Sequence, residues 1–245
     1  MKVAVTGAAG TLGRALLPQL AERQEVYACD LTGDPPDVVA GNVLDPEAMG
    51  RLCDGMDAVI HLAAAAWDDQ RTASENSARI LDTRLQGTYN VMEAARNKGV
   101  GRVIQISDVC ILKGYAEQLI VSEDFAPLPD TSACQQSVFL SELIAREFSR
   151  VQPGLVLTLR LGKLVDVDSL APCEPFDPAW LDINDAVGAI IRGLQIDTFD
   201  GMTHWGLYNL VGDTSGRRFS TSKTRNGRYG WCPSHDFHLR KETRR

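Results

Sequence analysis

Three glycines, Gly7, Gly10 and Gly13, stand three residues apart between an apolar run and a helical one. Met1 to Thr6 before them reads as a buried strand, and Arg14 to Ala21 after them has helical spacing. A strand feeding a glycine turn that opens a helix is the arrangement that cradles a dinucleotide's phosphates. Gly7 permits the tight turn, Gly10 lets the backbone approach a pyrophosphate, and Gly13 lets the helix pack close to the strand. Ala9, Thr11 and Leu12 complete the loop, where a helix N-terminus offers unpaired N–H groups and partial positive charge. The next strand, Glu25 to Asp30, ends in an acid 23 residues after Gly7. That is the place for a carboxylate that binds an adenosine ribose.

The elements that must hold these residues follow in alternation. Asp37 to Val43 reads as a third short strand, and Pro46 to Cys53 as a helix with Asp45 as N-cap. Asp57 to Leu62 is a fourth strand, followed by small residues Ala63 to Ala66, which let chain and ligand come close. Trp67 to Ser77 is polar and reads as a loop. Ile80 to Asn97 reads as a long helix ended by Gly99. Arg102 to Ser107 is the fifth strand, and residues 108–133 form a long connection of the length that carries function. A second long helix spans Cys134 to Val151, and Leu155 to Leu161 is the sixth strand. Pro172 to Pro178 reads as a loop, Ala186 to Gln195 as a helix and Leu207 to Val211 as a strand. The expectation is an α/β, Rossmann-type, doubly wound parallel sheet with a small C-terminal substrate lobe. Residues 1–162 would bind the dinucleotide, completed by parts of the later chain, and 163–245 would form the lobe.

At 245 residues the chain can bury one large core. No apolar run approaches the ~20 residues of a membrane span, and Met1 leads directly into the first core strand rather than a leader. Six cysteines (29, 53, 110, 134, 173, 232) lack paired or metal-type spacing, so a reduced, cytoplasmic compartment and no metal are expected. The formal net charge of -7 is uneven. Nine Lys/Arg between Thr214 and Arg245 face only Asp236 and Glu242, leaving that stretch at +7 and residues 1–213 at -14. A basic tail can contact nucleic acid or another anion. No nucleic-acid motif accompanies it, and a solvated end is the simpler reading.

The order of motifs resembles the extended short-chain dehydrogenase/reductase superfamily, the NAD-dependent sugar epimerase/dehydratase group. The landmarks are Thr6-Gly7-Ala8-Ala9-Gly10-Thr11-Leu12-Gly13, Asp30, Gly41-Asn42-Val43-Leu44-Asp45, His61-Leu62-Ala63-Ala64 and Gly87-Thr88-Tyr89-Asn90. Leu159-Arg160-Leu161-Gly162, Trp180 to Ala186 and Gly230 to Phe237 continue the series. The chain sits closest to the compact uronate-dehydrogenase-like members. The resemblance implies that Asp30 takes both ribose hydroxyls and disfavours a 2′-phosphate, so NAD is expected over NADP, with Arg14 as a possible offset. It implies that Asn42, where the family usually has Asp, accepts from the adenine amino group. Val43 would supply backbone contacts and Leu62, Ala63 and Ala64 would line the cofactor. It also implies a homodimer through the two long helices.

The same resemblance exposes a departure. The family's general acid/base is the Tyr of Tyr-x-x-x-Lys, and its Lys lowers the Tyr pKa and holds the nicotinamide ribose. Registering on Glu142-Leu143-Ile144-Ala145-Arg146-Glu147 puts Cys134 at the Tyr position and Val138 at the Lys position, with Ser137 before it. Arg84 stands where a structural Asn is usual. Ser107 is kept after the fifth strand, while Asp108 replaces the second, substrate-binding Ser. The catalytic candidates are therefore Ser107, Asp108, Cys134 and Tyr115, with Lys163 or Arg84 as a cation from elsewhere. A thiol with no cation beside it stays protonated near neutral pH.

Two readings of function follow. One is an NAD-dependent oxidoreductase or epimerase acting on a sugar, sugar acid or nucleotide sugar with a rearranged acid/base set. Its substrate contacts would come from Trp67, Asp108, Cys110 and the loop around Tyr115. The other is a non-catalytic dinucleotide-binding sensor or regulatory subunit. A third and weaker reading is a module that uses the basic tail for nucleic acid.

Overall fold

Among the described residues the apolar runs form nine strands: β1 (Lys2–Thr6), β2 (Glu25–Asp30), β3 (Val38–Ala40), β4 (Ala58–His61), β5 (Arg102–Asp108), β6 (Leu155–Leu161), β7 (Lys163–Val165), β8 (Trp180–Asp182) and β9 (Trp205–Leu210). The computed structural model describes residues 1–33, 37–171, 174–199, 204–213 and 218–237. Part of the Pro172–Pro178 loop, with Cys173, and the tail cations Arg217, Arg240, Lys241, Arg244 and Arg245 lie outside the described residues. Seven strands make one sheet in the order β3-β2-β1-β4-β5-β6-β9, and β7 pairs with β8 apart from it. Every pairing is parallel. Strand order reverses between β1 and β4, and ligands of open parallel sheets bind at the carboxyl ends of the strands beside such a switch.

Parallel strands need covering on both faces. On one face α1 (Thr11–Ala21) and α6 (Ile183–Gly193) lay Leu16, Leu20 and Ile190 over Val3, Val5, Ile60 and Leu157. On the other, α2 (Pro46–Leu52), α4 (Gly87–Asn97) and α5 (Ala133–Phe148) lay Met49, Val91, Met92 and Ala145 over Ala4, Val59, Val103 and Val156. Neighbouring residues of each strand divide between the two cores, as a period of two requires. Sheet and covers both draw on the later chain, because α6 and β9 come after Gly162.

Several boundaries differ from the sequence expectations, each for a local reason. The first long helix starts earlier, as α3 (Ala73–Leu81), so the expected loop from Trp67 to Ser77 is partly helical. Thr72 and Glu75 form a capping box there. The third strand contracts to Val38–Ala40 because Asn42 opens a turn, its Oδ1 accepting from Leu44 N–H at 2.9 Å. α5 stops at Phe148, whose carbonyl accepts from both Val151 and Gln152 N–H. α6 begins at Ile183, where the Asp182 carboxylate caps Asn184 and Asp185 N–H. The Asp45 cap of α2 and the turn at Gly99, with φ +69°, are as expected. The long connection after β5 folds as a 3-10 turn, Val109–Leu112, and then crosses to β9, where Glu123 Oε1 accepts from Asn209 N–H at 2.8 Å.

Candidate active site

The glycine turn is built for close approach. Gly7 has φ +71°, and a Cβ on it would lie 2.5 Å from the Ala63 nitrogen. A Cβ on Gly13 would lie 2.3 Å from the Ala8 carbonyl oxygen, so α1 packs against the turn only with glycine there. No side chain caps α1, which begins after Gly10, so the first-turn N–H groups have no side-chain acceptor there. Asp30 is fixed by two backbone donors, Ala9 N–H to Oδ2 at 2.9 Å and Leu31 N–H to Oδ1 at 2.7 Å. The acid that ends β2 and the loop that follows β1 are thus one unit.

A cavity of about 380 Å³ opens over this unit. Gly7, Ala9, Gly10, Asp30, Asn42, Val43, Leu62, Ala63 and Ala64 line it, as do Arg14, Leu31, Thr32 and Thr83. Thr11, Leu12 and Gly13 stand behind the wall in the first turn of α1. Arg14 Nε donates to Ala9 O at 2.8 Å. Val43 O accepts from the buried Asn90 amide at 2.9 Å. The segment after Ala64 is anchored by buried Asn76, which exchanges hydrogen bonds with the Asp68 backbone at 2.8 and 3.0 Å. Leu31, Thr32 and Thr83 were not among the residues picked from sequence. The first two simply follow Asp30, but nothing local marks Thr83.

Thr83 reaches the cavity because the helix is wound differently there. Asp82–Gln86 form a π turn between α3 and α4. One extra residue in the turn re-aims the side chains around it, and such turns concentrate at functional sites. Thr83 faces the glycine loop. Its neighbour Arg84, half-buried, donates from Nη1 to Ile106 O at 3.4 Å, at the carboxyl end of β5. Burial disfavours the charged Arg84 guanidinium, while Asp108, Cys110, Cys134 and Glu142 act the other way. Arg84 also bears on His61 at the end of β4. Burial and then the Arg84 charge push the His61 imidazole down to about 3. His61 is held between the Thr6 and Thr88 hydroxyls at 2.7 and 3.1 Å.

The catalytic candidates have separate surroundings. Ser107 is buried and donates to Glu142, which also receives Arg160 through two bonds of 2.8 and 2.7 Å. This joins β5, β6 and α5. Asp108 accepts from Cys110 N–H at 2.6 Å. The Cys110 thiol lies against the same carboxylate, and burial first and that charge second push it well up. Cys134 is exposed in the first turn of α5, and Val138 is buried. Tyr115 packs edge-on against Phe125 and donates its hydroxyl to Ala126 O at 2.7 Å, within the long connection. Lys163 is exposed on β7, and Trp67 is exposed. Among the described residues, no group of three or more His, Cys, Asp or Glu is placed to hold a metal ion.

A seven-stranded parallel sheet, a glycine turn after β1 and an acid closing β2 define a Rossmann-type α/β protein. The chain belongs to the NAD-dependent epimerase/dehydratase family, whose model matches residues 3–165. It is 30% identical over 219 residues to L-arabinose 1-dehydrogenase (NAD(P)(+)) of Haloferax volcanii, covering 81% of this chain and 78% of that protein. It is 27% identical over 204 residues to uronate dehydrogenase of Pseudomonas putida, covering 79% and 71%. A mutant uronate dehydrogenase from Agrobacterium tumefaciens complexed with NAD has the same fold. Its TM-score is 0.81 at 21% identity, over 99% of this chain and 88% of that one.

Proposed function

We propose that this chain is an NAD-dependent oxidoreductase acting on a sugar acid or a related sugar. The observation that carries the reading is the cavity over the glycine loop, with Asp30 fixed against Ala9 at its edge. A cradle that any Cβ at Gly7 would fill suits a pyrophosphate lying against backbone. Gly7, Ala9, Gly10, Thr11, Leu12 and Gly13 would hold the pyrophosphate, Asp30 the adenosine ribose and Asn42 with Val43 the adenine, and Leu62, Ala63 and Ala64 would line the way toward the nicotinamide. The Asp30 carboxylate favours NAD over NADP, since a 2′-phosphate would meet like charge. When bound, the nicotinamide supplies the hydride acceptor.

The family's description and the sugar and uronate dehydrogenases among its relatives support the substrate class. The name of the arabinose enzyme puts its oxidation at carbon 1, and we assign the same carbon here. In this reading residues 1–162 bind the dinucleotide and 163–245 carry the substrate lobe, with Trp67, Asp108, Cys110 and the Tyr115 loop at the substrate. The protein would act as a homodimer through the helical stretch of α3 and α4 and through α5, whose Tyr89 and Leu140 are exposed. The free thiols of Cys29, Cys53, Cys110, Cys134 and Cys232 suit a reducing, cytoplasmic compartment.

The test is a titration with NADH and NADPH, followed by a screen of uronates, aldoses and nucleotide sugars for NADH formation. The expected result is tighter binding of NADH and turnover of a sugar acid. Binding with no turnover of any substrate would replace the oxidoreductase by a dinucleotide sensor.

A further inference from the structure

The position registered on the family's lysine holds Val138, a buried apolar residue on α5. A second cation beside the crevice, besides Arg14 in its lining, stands on the other long helix. The π turn sets Thr83 into the glycine-loop cavity and its neighbour Arg84 against the end of β5. Arg84 thus adjoins the cavity-lining Thr83 in the chain and stands at the carboxyl end of β5, the side of a parallel sheet on which ligands bind. A guanidinium offers five N–H donors in a fixed fork. One of those of Arg84 is engaged, by Ile106 O at the long distance of 3.4 Å.

The two carboxylates whose charge favours the Arg84 guanidinium are of different kinds. Glu142 is committed to Arg160 and Ser107. Asp108, half-buried two residues beyond Ile106, is held by the Cys110 N–H. One acid/base group and one cation at the carboxyl end of the same strand have the charge composition of a tyrosinate–lysine pair. Here it is carried by other residues on other elements. Lys163 is exposed on β7, and the Tyr115 hydroxyl is bound to Ala126 O.

We propose that Arg84 takes over the task of the absent lysine, holding the nicotinamide-side end of the dinucleotide and the reacting oxygen, with Asp108 as the adjacent proton acceptor. The assignment rests on the dinucleotide-binding reading above. In the step, the proton of the substrate hydroxyl passes to an Asp108 carboxylate oxygen. The hydrogen on the same carbon leaves as hydride to the nicotinamide dinucleotide, and the carbon–oxygen bond becomes a carbonyl. The Arg84 N–H groups donate to the oxygen on which negative charge develops.

Calorimetric titration with NADH and with ADP separates this assignment from the reading it rests on. Arg84→Met is expected to weaken NADH about tenfold or more, the scale of a lost charged hydrogen bond, and to leave ADP binding unchanged. Arg84→Lys should recover part of the loss. Asp30→Ala should weaken both ligands. Asp108→Asn should keep NADH affinity and lose turnover by roughly a hundredfold or more, the scale of a missing general base. The assignment is overturned if Arg84→Met binds NADH as the unsubstituted protein does. It is equally overturned if Cys134→Ala, and not Asp108→Asn, abolishes turnover. Failure of the unsubstituted protein to bind either ligand removes the dinucleotide reading itself.

Discussion

His61 shows how one residue ties the site to the stability of the fold. Its ordinary pKa of 6.5 falls to about 3 in the folded chain, chiefly through burial. Between those values the unfolded chain binds a proton that the folded one refuses, so acid favours unfolding. The contribution is intact above the unfolded value and is lost as pH drops, at about 1.4 kcal/mol per pH unit. Urea unfolding should therefore show roughly 2 kcal/mol less stability from this group at pH 5 than at pH 7. His61→Gln should flatten that difference, and an equal acid loss in both proteins would contradict it. Asp30 makes the second prediction. Removing its carboxylate in Asp30→Ala should weaken NADH roughly ten- to a hundredfold in a fluorescence titration, since hydrogen bonds to a charged group are worth about 1.5–3 kcal/mol. Gly7, Gly13 and Asp30 were legible in the sequence because their requirements are local: a positive φ, a close approach, an acid at a strand end. Arg84 was visible as a substitution and, with Lys163, as a cation that could serve the site from elsewhere, but its setting was not, because that is fixed by the packing of separate elements.

Among the elements, α5 is tied to the sheet by a buried polar contact. Glu142 on α5 takes Arg160 of β6 in a buried bidentate pair and Ser107 of β5 as a third partner. Removing one member of a buried pair leaves a charge without its counter-ion, which costs about 3–5 kcal/mol. Glu142→Ala should lower the unfolding free energy by that order, and Glu142→Ala with Arg160→Met should recover part of it. A loss below 1 kcal/mol would show the pair to be dispensable. The N-terminus of α3 makes a smaller prediction: Thr72→Ala removes one half of the capping box and should cost about 1 kcal/mol. That box was present in the sequence as Thr72-x-x-Glu75, but the polar composition around it read as loop, and the helix was expected only from Ile80. The π turn had no sequence signature.

Over the whole molecule, alternation of strand and helix made the sheet and its two covers legible, because every strand buried on both faces reads as an apolar run. The basic stretch after Thr214 was less so. Three of its four described cations turn inward: Arg225 pairs with Asp213 at 3.0 Å, Arg218 donates to the Lys113 and Tyr115 carbonyls, and Lys223 lies 5.0 Å from the centre of the Tyr208 ring, while exposed Arg228 donates to the Thr198 hydroxyl. Composition counts these charges without saying which are engaged. The proposed dimer is tested at this scale. Light scattering should give twice the mass of one chain, and Leu140→Glu on the exposed face of α5 should shift it toward the monomer. A monomer at all concentrations would contradict the dimer. The central claim is that a dinucleotide held over Gly7 and Asp30 receives hydride from a sugar acid, and isotope transfer tests it most directly. The protein is incubated with NAD and a uronate deuterated at carbon 1, and the nicotinamide is examined by proton NMR. Deuterium at nicotinamide C4 is the predicted result. Protein that binds NADH yet transfers no deuterium from any sugar or sugar acid would contradict the account.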